Sequence, residues 1–334
     1  VGAGTSGAVI AARASENPNV EVRLVEAGPD YPDPRGIPHD LANGKTNSMR
    51  KHDWGFRHTP NPHSPKFLFP RGRVVGGSSA VNTCIAIRGQ PYDYDEWAAR
   101  GLQGWSFAAC LPAFKRLEDD LDVQNEWHGQ GGPIPIRRHP ASELTRWQGA
   151  FLEACSEMGF ARAFDSNDPT TTGAGPHAMN KVDGQRMGAA RRYLDAKVRA
   201  RKNLTLEPRS LVHRVLFEGR RAVGVEVERD GRLERIAARR VLLCGGAIAT
   251  PGILLRSGIG PRKDLERLGV ERLVDLPAVG ARLLDHPGVA MFLVPRWGLS
   301  SYEDPLIQTV LRYRSEHSLR PNDMQLQPGS MVPT

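Results

Sequence analysis

Apolar and polar residues alternate with a period that changes along the chain, and each change marks an element. Val9, Ile10 and Ala12 belong to a helical stretch over 8–16 that ends at Asn17-Pro18. Val20, Val22 and Leu24 then alternate with Glu21 and Arg23, the period-two pattern of a short strand ending at Glu26. From 29 to 71 the pattern dissolves into a Pro-, His-, Asn- and Gly-rich stretch, which predicts a long irregular excursion. Helical spacing returns over Tyr92–Arg100, and again from the N-cap Ser106 to about Glu118. A further helix is predicted over 143–160, with Leu144, Trp147, Phe151, Leu152 and Cys155 on one face. Residues 165–185 read as loop and 188–200 as helix.

Strand patterns follow at Leu204–Leu206, Leu211–Glu218, Ala222–Arg229 and Leu233–Ala237. Gly219 and the hairpin-forming pair Asp230-Gly231 punctuate them. Arg240–Cys244 is a compact apolar strand leading to Gly245-Gly246, and a helix is predicted from Thr250 to Ser257. There Pro251 stands near the first helical position and Gly258 beyond the last turn. Near the end, Met291–Val294 and Met324–Leu326 read as strands.

Composition narrows the picture only a little. The 334 residues are 40% hydrophobic and 25% charged, which is globular rather than disordered. A net charge of +8 raises the question of nucleic acid, but Lys and Arg are interleaved with Asp and Glu. The densest basic runs, Arg191-Arg192 and Arg199 to Lys202, are short, and no nucleic-acid motif accompanies them, so no nucleic-acid partner is expected. Cys84, Cys110, Cys155 and Cys244 form no CxxC pair and no zinc spacing, and no metal is expected. Scattered thiols favour a reducing, cytoplasmic compartment, with a membrane-peripheral location as the alternative. No apolar run reaches transmembrane length.

The chemistry begins at residue 1. Val1-Gly2-Ala3-Gly4-Thr5-Ser6-Gly7 is GxGxxG, followed by the helix and by a strand whose end, Glu26, lies 19 residues beyond Gly7. In such a fingerprint the first glycine makes a tight turn, the second admits a pyrophosphate to the backbone, and the third lets helix and strand pack closely. The helix start offers free N–H groups to phosphate. An acid in the position of Glu26 accepts hydrogen bonds from an unphosphorylated ribose, which disfavours NADP. The strand that should precede Gly2 is reduced to its last residue, so the parent protein is expected to extend upstream.

A second glycine-rich loop, Gly72-Arg-Val-Val-Gly-Gly-Ser-Ser-Ala-Val-Asn82, offers backbone to a flat or anionic ligand. A third such element, 246–260, repeats the order strand, glycine turn, helix. The 72–82 stretch, continued through Arg88-Gly89 and Tyr92-Asp93 to Trp97, resembles the first signature of the glucose–methanol–choline (GMC) oxidoreductases. The 246–260 stretch resembles the second. Val279-Gly280, Leu283, Asp285 and His286 resemble the family's VGxNLxDH element, with Arg282 where Asn is usual.

The resemblance implies a fold and a set of roles. The fold is α/β: a Rossmann-like FAD-binding domain with a parallel sheet, helices and an extra β-meander, over 1–140 and 188–286. An incomplete α+β substrate domain would take 141–187 and 287–334. Gly2, Gly4, Thr5, Ser6 and Gly7 would hold the FAD pyrophosphate and Glu26 the adenosine ribose. Val74 and the run Asn82, Thr83, Cys84, Ile85 would pass along the flavin and its ribityl chain, and Val212 would meet adenine through its backbone. A plain core valine is the competing reading of Val212.

Some members attach FAD covalently through a His; Val81 stands there, so the FAD is expected to be non-covalent. The implied activity is oxidation of a small-molecule alcohol by hydride transfer to flavin, with oxygen or a quinone as acceptor. Ile87-Arg88-Gly89 and Tyr92 to Trp97 are similar to choline-dehydrogenase-like members. The family's catalytic His matches none of the ten histidines, and His286 belongs to the DH element, so the base is expected beyond Thr334. The fragment alone is expected to be inactive and poorly soluble, because a sheet lacking strands exposes edges. Two alternatives stand beside the oxidoreductase: an FAD-containing hydroxynitrile lyase, and a flavin-binding remnant without catalysis.

Overall fold

The computed structural model describes residues 1–294, 296 and 301–330. The chain packs into two compact units: one of Val1–Ile37, Ser48–Val81 and Ala189–Phe292, the other of Pro38–Asn47, Asn82–Gly188 and Leu293–Thr334. Residues 82–140, expected with the nucleotide-binding part, pack within the second unit. The reason is strand pairing, since Ile85 and Arg137 both bridge to Met179.

The first unit is built on parallel strands. Val22–Val25 pairs in parallel with Leu204–Glu207. On its other side lies the chain start: Gly2 N–H donates to the Val25 carbonyl (2.8 Å), and Cys244 N–H donates to that of Val1 (2.7 Å). The predicted strand at Arg240–Cys244 is therefore present as an extended neighbour without forming a regular ladder. Thr5–Ala14 forms the first helix, one turn earlier than the apolar pattern alone indicates.

Leu211–Glu218, Arg221–Arg229 and Arg232–Ala237 make the antiparallel meander. Asp230 (φ 49°) and Gly231 (φ 75°) are both left-handed, as a type I′ hairpin requires. Val25, Val212, Val215, Val225, Val227, Ile236 and Ile253 form a core joining this meander, the parallel strand and the helix Gly246–Arg256. Full burial of one such aliphatic side chain contributes about 1.5–3 kcal/mol. That helix starts well before Thr250, so Pro251 sits inside it and not at its first position. The glycine turn runs straight into the helix at Gly246. Pro251 then forfeits one backbone bond within the helix.

The second unit contains helices Pro91–Ala99, Phe107–Leu117 and Arg146–Glu157. The Ser106 hydroxyl caps the second by accepting from Ala109 N–H (3.2 Å). Leu152 and Cys155 of the third pack on Ala174 and Leu311, whereas Trp147 is 42% exposed and lies off the predicted apolar face. Gly173–Pro176 is a strand, not loop, paired antiparallel with Thr309–Tyr313, which in turn pairs with Met324–Leu326. Met291–Val294 forms no strand; those residues are exposed, and none of the ladders among the described residues includes them.

Candidate functional site

The glycines of the fingerprint differ in what surrounds them. Gly2 has φ +87°, and a Cβ there would lie 2.5 Å from the Cys244 carbonyl oxygen. A Cβ on Gly7 would stand 1.8 Å from the Gly2 carbonyl oxygen, so the helix rests directly on the turn. Both positions are closed by the protein itself. Gly4 is open: its nearest neighbour to a Cβ would be Gly77 Cα at 3.7 Å, an ordinary contact. Gly4 is the N-cap of the helix, no side chain caps it, and no acid stands in the first turn. Thr5 and Ser6 are exposed at that uncapped start. The result is a helix end whose N–H groups face outward beside a position without a side chain, the geometry that accepts phosphate.

The second glycine loop lies against the first. Gly76 N–H donates to the Ala3 carbonyl (2.7 Å), and a Cβ on Gly77 would come within 2.7 Å of Gly4 Cα. This close backbone approach is one reason for glycine at 77 that the sequence does not reveal. Val74 is 1% exposed, so only its backbone could meet a ligand, and its carbonyl accepts from Gly77 N–H (2.7 Å). Gly28, not singled out by the sequence, is pressed onto the same loop: its Cβ would lie 2.2 Å from the Arg73 carbonyl oxygen.

Glu26 ties these parts together. It is buried, and its two carboxylate oxygens accept from Ala3 N–H (2.8 Å) and Gly28 N–H (2.9 Å). Burial pushes its pKa up, while the bonds from Gly28, Ala3 and Ala27 oppose that. The acid thus holds the fingerprint loop with lone pairs to spare for a ribose hydroxyl. Val212 is in the core, 5% exposed, and takes its place in the meander opposite Val227. Its side chain fits the core reading.

Asn82, Thr83, Cys84 and Ile85 lie in the second unit. Asn82 is exposed and Thr83 half-buried. Cys84 is buried in a left-handed conformation (φ 65°), and burial pushes its thiol pKa up, which keeps it protonated. Sequence reasoning misses Arg186, whose buried guanidinium donates to the carbonyls of Asn82 (2.8 Å), Asp40 (2.9 Å), Leu41 (2.6 Å) and Thr46 (2.6 Å). It fixes the 82–85 run against the 40–46 segment. A lone Arg in a polar stretch gives no sequence signal of that role.

The same unit holds a buried ionic network. His128 Nε2 lies 2.7 Å from Asp165, and its Nδ1 lies 2.8 Å from Asp120 and 3.1 Å from Glu118. Arg138 pairs with Asp120 (2.9 Å) and Asp165 (2.6 Å), and Arg88 pairs with Glu118. Burial opposes charge on His128, but the three carboxylates outweigh it and raise its pKa to about 10. Glu118, Asp120 and His128 have metal-ligand spacing. An imidazolium donating from both nitrogens cannot ligate, so the cluster is a structural ion network.

A glycine turn running into an uncapped helix, with an acid at the end of the parallel strand that follows, defines a dinucleotide-binding α/β protein. A family model described as GMC oxidoreductase matches residues 1–288. An uncharacterized GMC-type oxidoreductase of Rhodococcus erythropolis is 37% identical over 330 residues, covering 96% of this chain and 64% of that protein. An oxygen-dependent choline dehydrogenase of Chromohalobacter salexigens is 39% identical over 292 residues, 86% of this chain and 52% of that one. The crystal structure of pyridoxine 4-oxidase from Mesorbium loti superposes with a TM-score of 0.77 at 35% identity, over 83% of this chain and 54% of that one. The chain belongs to the GMC oxidoreductase family. It spans between about half and two thirds of the length of these relatives.

Proposed function

We propose that the intact protein oxidises a small-molecule alcohol with FAD as cofactor. The observation that carries this is the open Gly4 at an uncapped helix start, beside the buried acceptor Glu26. These residues fit a dinucleotide: N–H groups for the pyrophosphate at 4–7, an acceptor for the ribose, and no side chain in between. FAD, when bound, supplies a flavin ring that accepts a hydride from the alcohol carbon. The chain's part is to hold and orient that group. Gly2 and Gly7 keep the loop in shape, Gly4 to Ser6 present the backbone, and Glu26 fixes the adenosine end. Val74 and Val212 contribute backbone only, and the run 82–85 carries the flavin-side role that the family resemblance gives it. In this reading the first unit holds the pyrophosphate and adenosine end of the cofactor.

The named relatives act on choline and on pyridoxine, and both support an alcohol as the substrate class. Oxygen or a quinone is the acceptor in this proposal. The location is cytoplasmic or membrane-peripheral: all four cysteines are free, and no described helix is long and apolar enough to cross a membrane. Turnover of an alcohol panel, followed once with oxygen and once with a quinone, tests the activity and names the acceptor. Absence of turnover with either acceptor in flavin-loaded protein would refute it. The FAD is held non-covalently, because Val81 offers no nucleophile and is 6% exposed. Acid precipitation should leave the yellow colour in the supernatant; colour retained in the pellet would contradict this.

A further inference from the structure

The helix Pro91–Ala99 borders a pocket of about 470 Å³ within the second unit, the size of a small-molecule site. Its apolar walls are the Tyr92 ring and three prolines, Pro91, Pro169 and Pro321. Three separate pieces of chain meet there: the helix, the loop ahead of Gly173–Pro176, and the turn that joins Thr309–Tyr313 to Met324–Leu326. Asn322 ties them together, because its amide donates to the Thr171 carbonyl (2.9 Å) and to the Gln90 side-chain oxygen (3.3 Å).

The charged residues lining this pocket, Asp95 and Glu96, are both acids. Asp95 is held in place by the Phe107 N–H, which donates to it (3.0 Å). The chain itself shows which group suits the other acid. Arg320, next to Pro321, carries its guanidinium carbon 5.0 Å from the Tyr92 ring centroid and pairs with Glu96. A planar cation thus lies over an aromatic face with a carboxylate beside it, and both partners belong to the pocket lining. The side chains of Arg320 and Glu96 are 53% and 41% exposed. Such a solvent-exposed pair is weak, so a ligand bearing the same group can take its place.

We infer that this pocket binds a small organic cation through a guanidinium group. The ligand's guanidinium replaces that of Arg320 on Tyr92 and Glu96, and its apolar body rests against the prolines. The lining includes none of the residues proposed to hold FAD, and binding here is read without turnover or flavin.

The test is isothermal titration of the intact protein with ethylguanidinium, and with ethylurea as its neutral isostere. One ethylguanidinium per chain should bind saturably, and ethylurea should not. Arg320→Ala removes the internal competitor, so affinity should rise about tenfold. A merely structural ion pair would give no such gain. Glu96→Gln should weaken binding about tenfold or more, and Tyr92→Leu about threefold. Should a variant not fold, the wild-type comparison of ethylguanidinium with ethylurea decides. Equal binding of ethylurea, no saturable heat in wild type and Arg320→Ala alike, an Arg320→Ala affinity no higher than that of the wild type, or undiminished binding in Glu96→Gln would overturn the inference.

Discussion

Gly4→Ala separates the structural glycines from the ligand-facing one. Gly4 has φ −73°, a conformation alanine adopts freely, and the added Cβ would meet nothing of the protein closer than 3.7 Å. The remaining cost is that of alanine for glycine at an N-cap, about 1 kcal/mol or less. The variant should therefore fold and melt within a few degrees of the wild type. If the pyrophosphate rests on this backbone, the methyl group stands in its way. The FAD dissociation constant should then rise about a hundredfold, equivalent to about 2.7 kcal/mol. Quenching of flavin fluorescence on titration into apoprotein reads the affinity, and a thermal melt of the same sample reads the fold. Gly7→Ala is the counterpart: its Cβ would lie 1.8 Å from the Gly2 oxygen, so stability should be lost before affinity can be measured. A Gly4→Ala protein that binds FAD as tightly as the wild type would refute the reasoning.

Glu26→Gln leaves one acceptor oxygen for the N–H groups of Ala3 and Gly28, so FAD affinity should fall about tenfold or more, with about 1–3 kcal/mol lost in stability; unchanged affinity on titration would argue against the ribose role. The His128 network makes stability depend on pH. His128 titrates at about 10 in the fold against its ordinary 6.5, so its contribution is whole below pH 6.5 and is lost as pH rises through 10. Burial favours the neutral Asp120, but bonds from His128 and Arg138 hold it to about 2 against 3.8; its contribution is whole above 3.8 and is lost as pH falls through 2. His128→Gln should cost about 3–5 kcal/mol and remove the decline in melting temperature between pH 7 and 10; an unaltered pH profile would show that the imidazole is neutral.

Where local chemistry decides structure, the sequence reveals it. The Asp230-Gly231 hairpin, the Ser106 cap and the meander strands follow from turn residues, a hydroxyl and alternation, and they stand within a residue or two of expectation. Gly173–Pro176 is illegible because Gly-Ala-Gly-Pro has no alternation; its strand exists through Thr309–Tyr313, more than a hundred residues later. Pro251 misleads because a proline marks a helix start only statistically, and here the glycine turn begins the helix earlier. Within the site, GxGxxG and Glu26 are legible as a pattern, yet only the packing distinguishes the open Gly4 from the closed Gly2 and Gly7. Arg186 is invisible beforehand, since burial of one cation is a tertiary property that neighbouring residues do not encode.

The most direct test of the central claim is the visible absorption spectrum of the purified intact protein, before and after anaerobic addition of an alcohol panel that includes choline and pyridoxine. An oxidised flavin band that bleaches with at least one alcohol is the predicted result. A colourless protein that takes up no added FAD would contradict it.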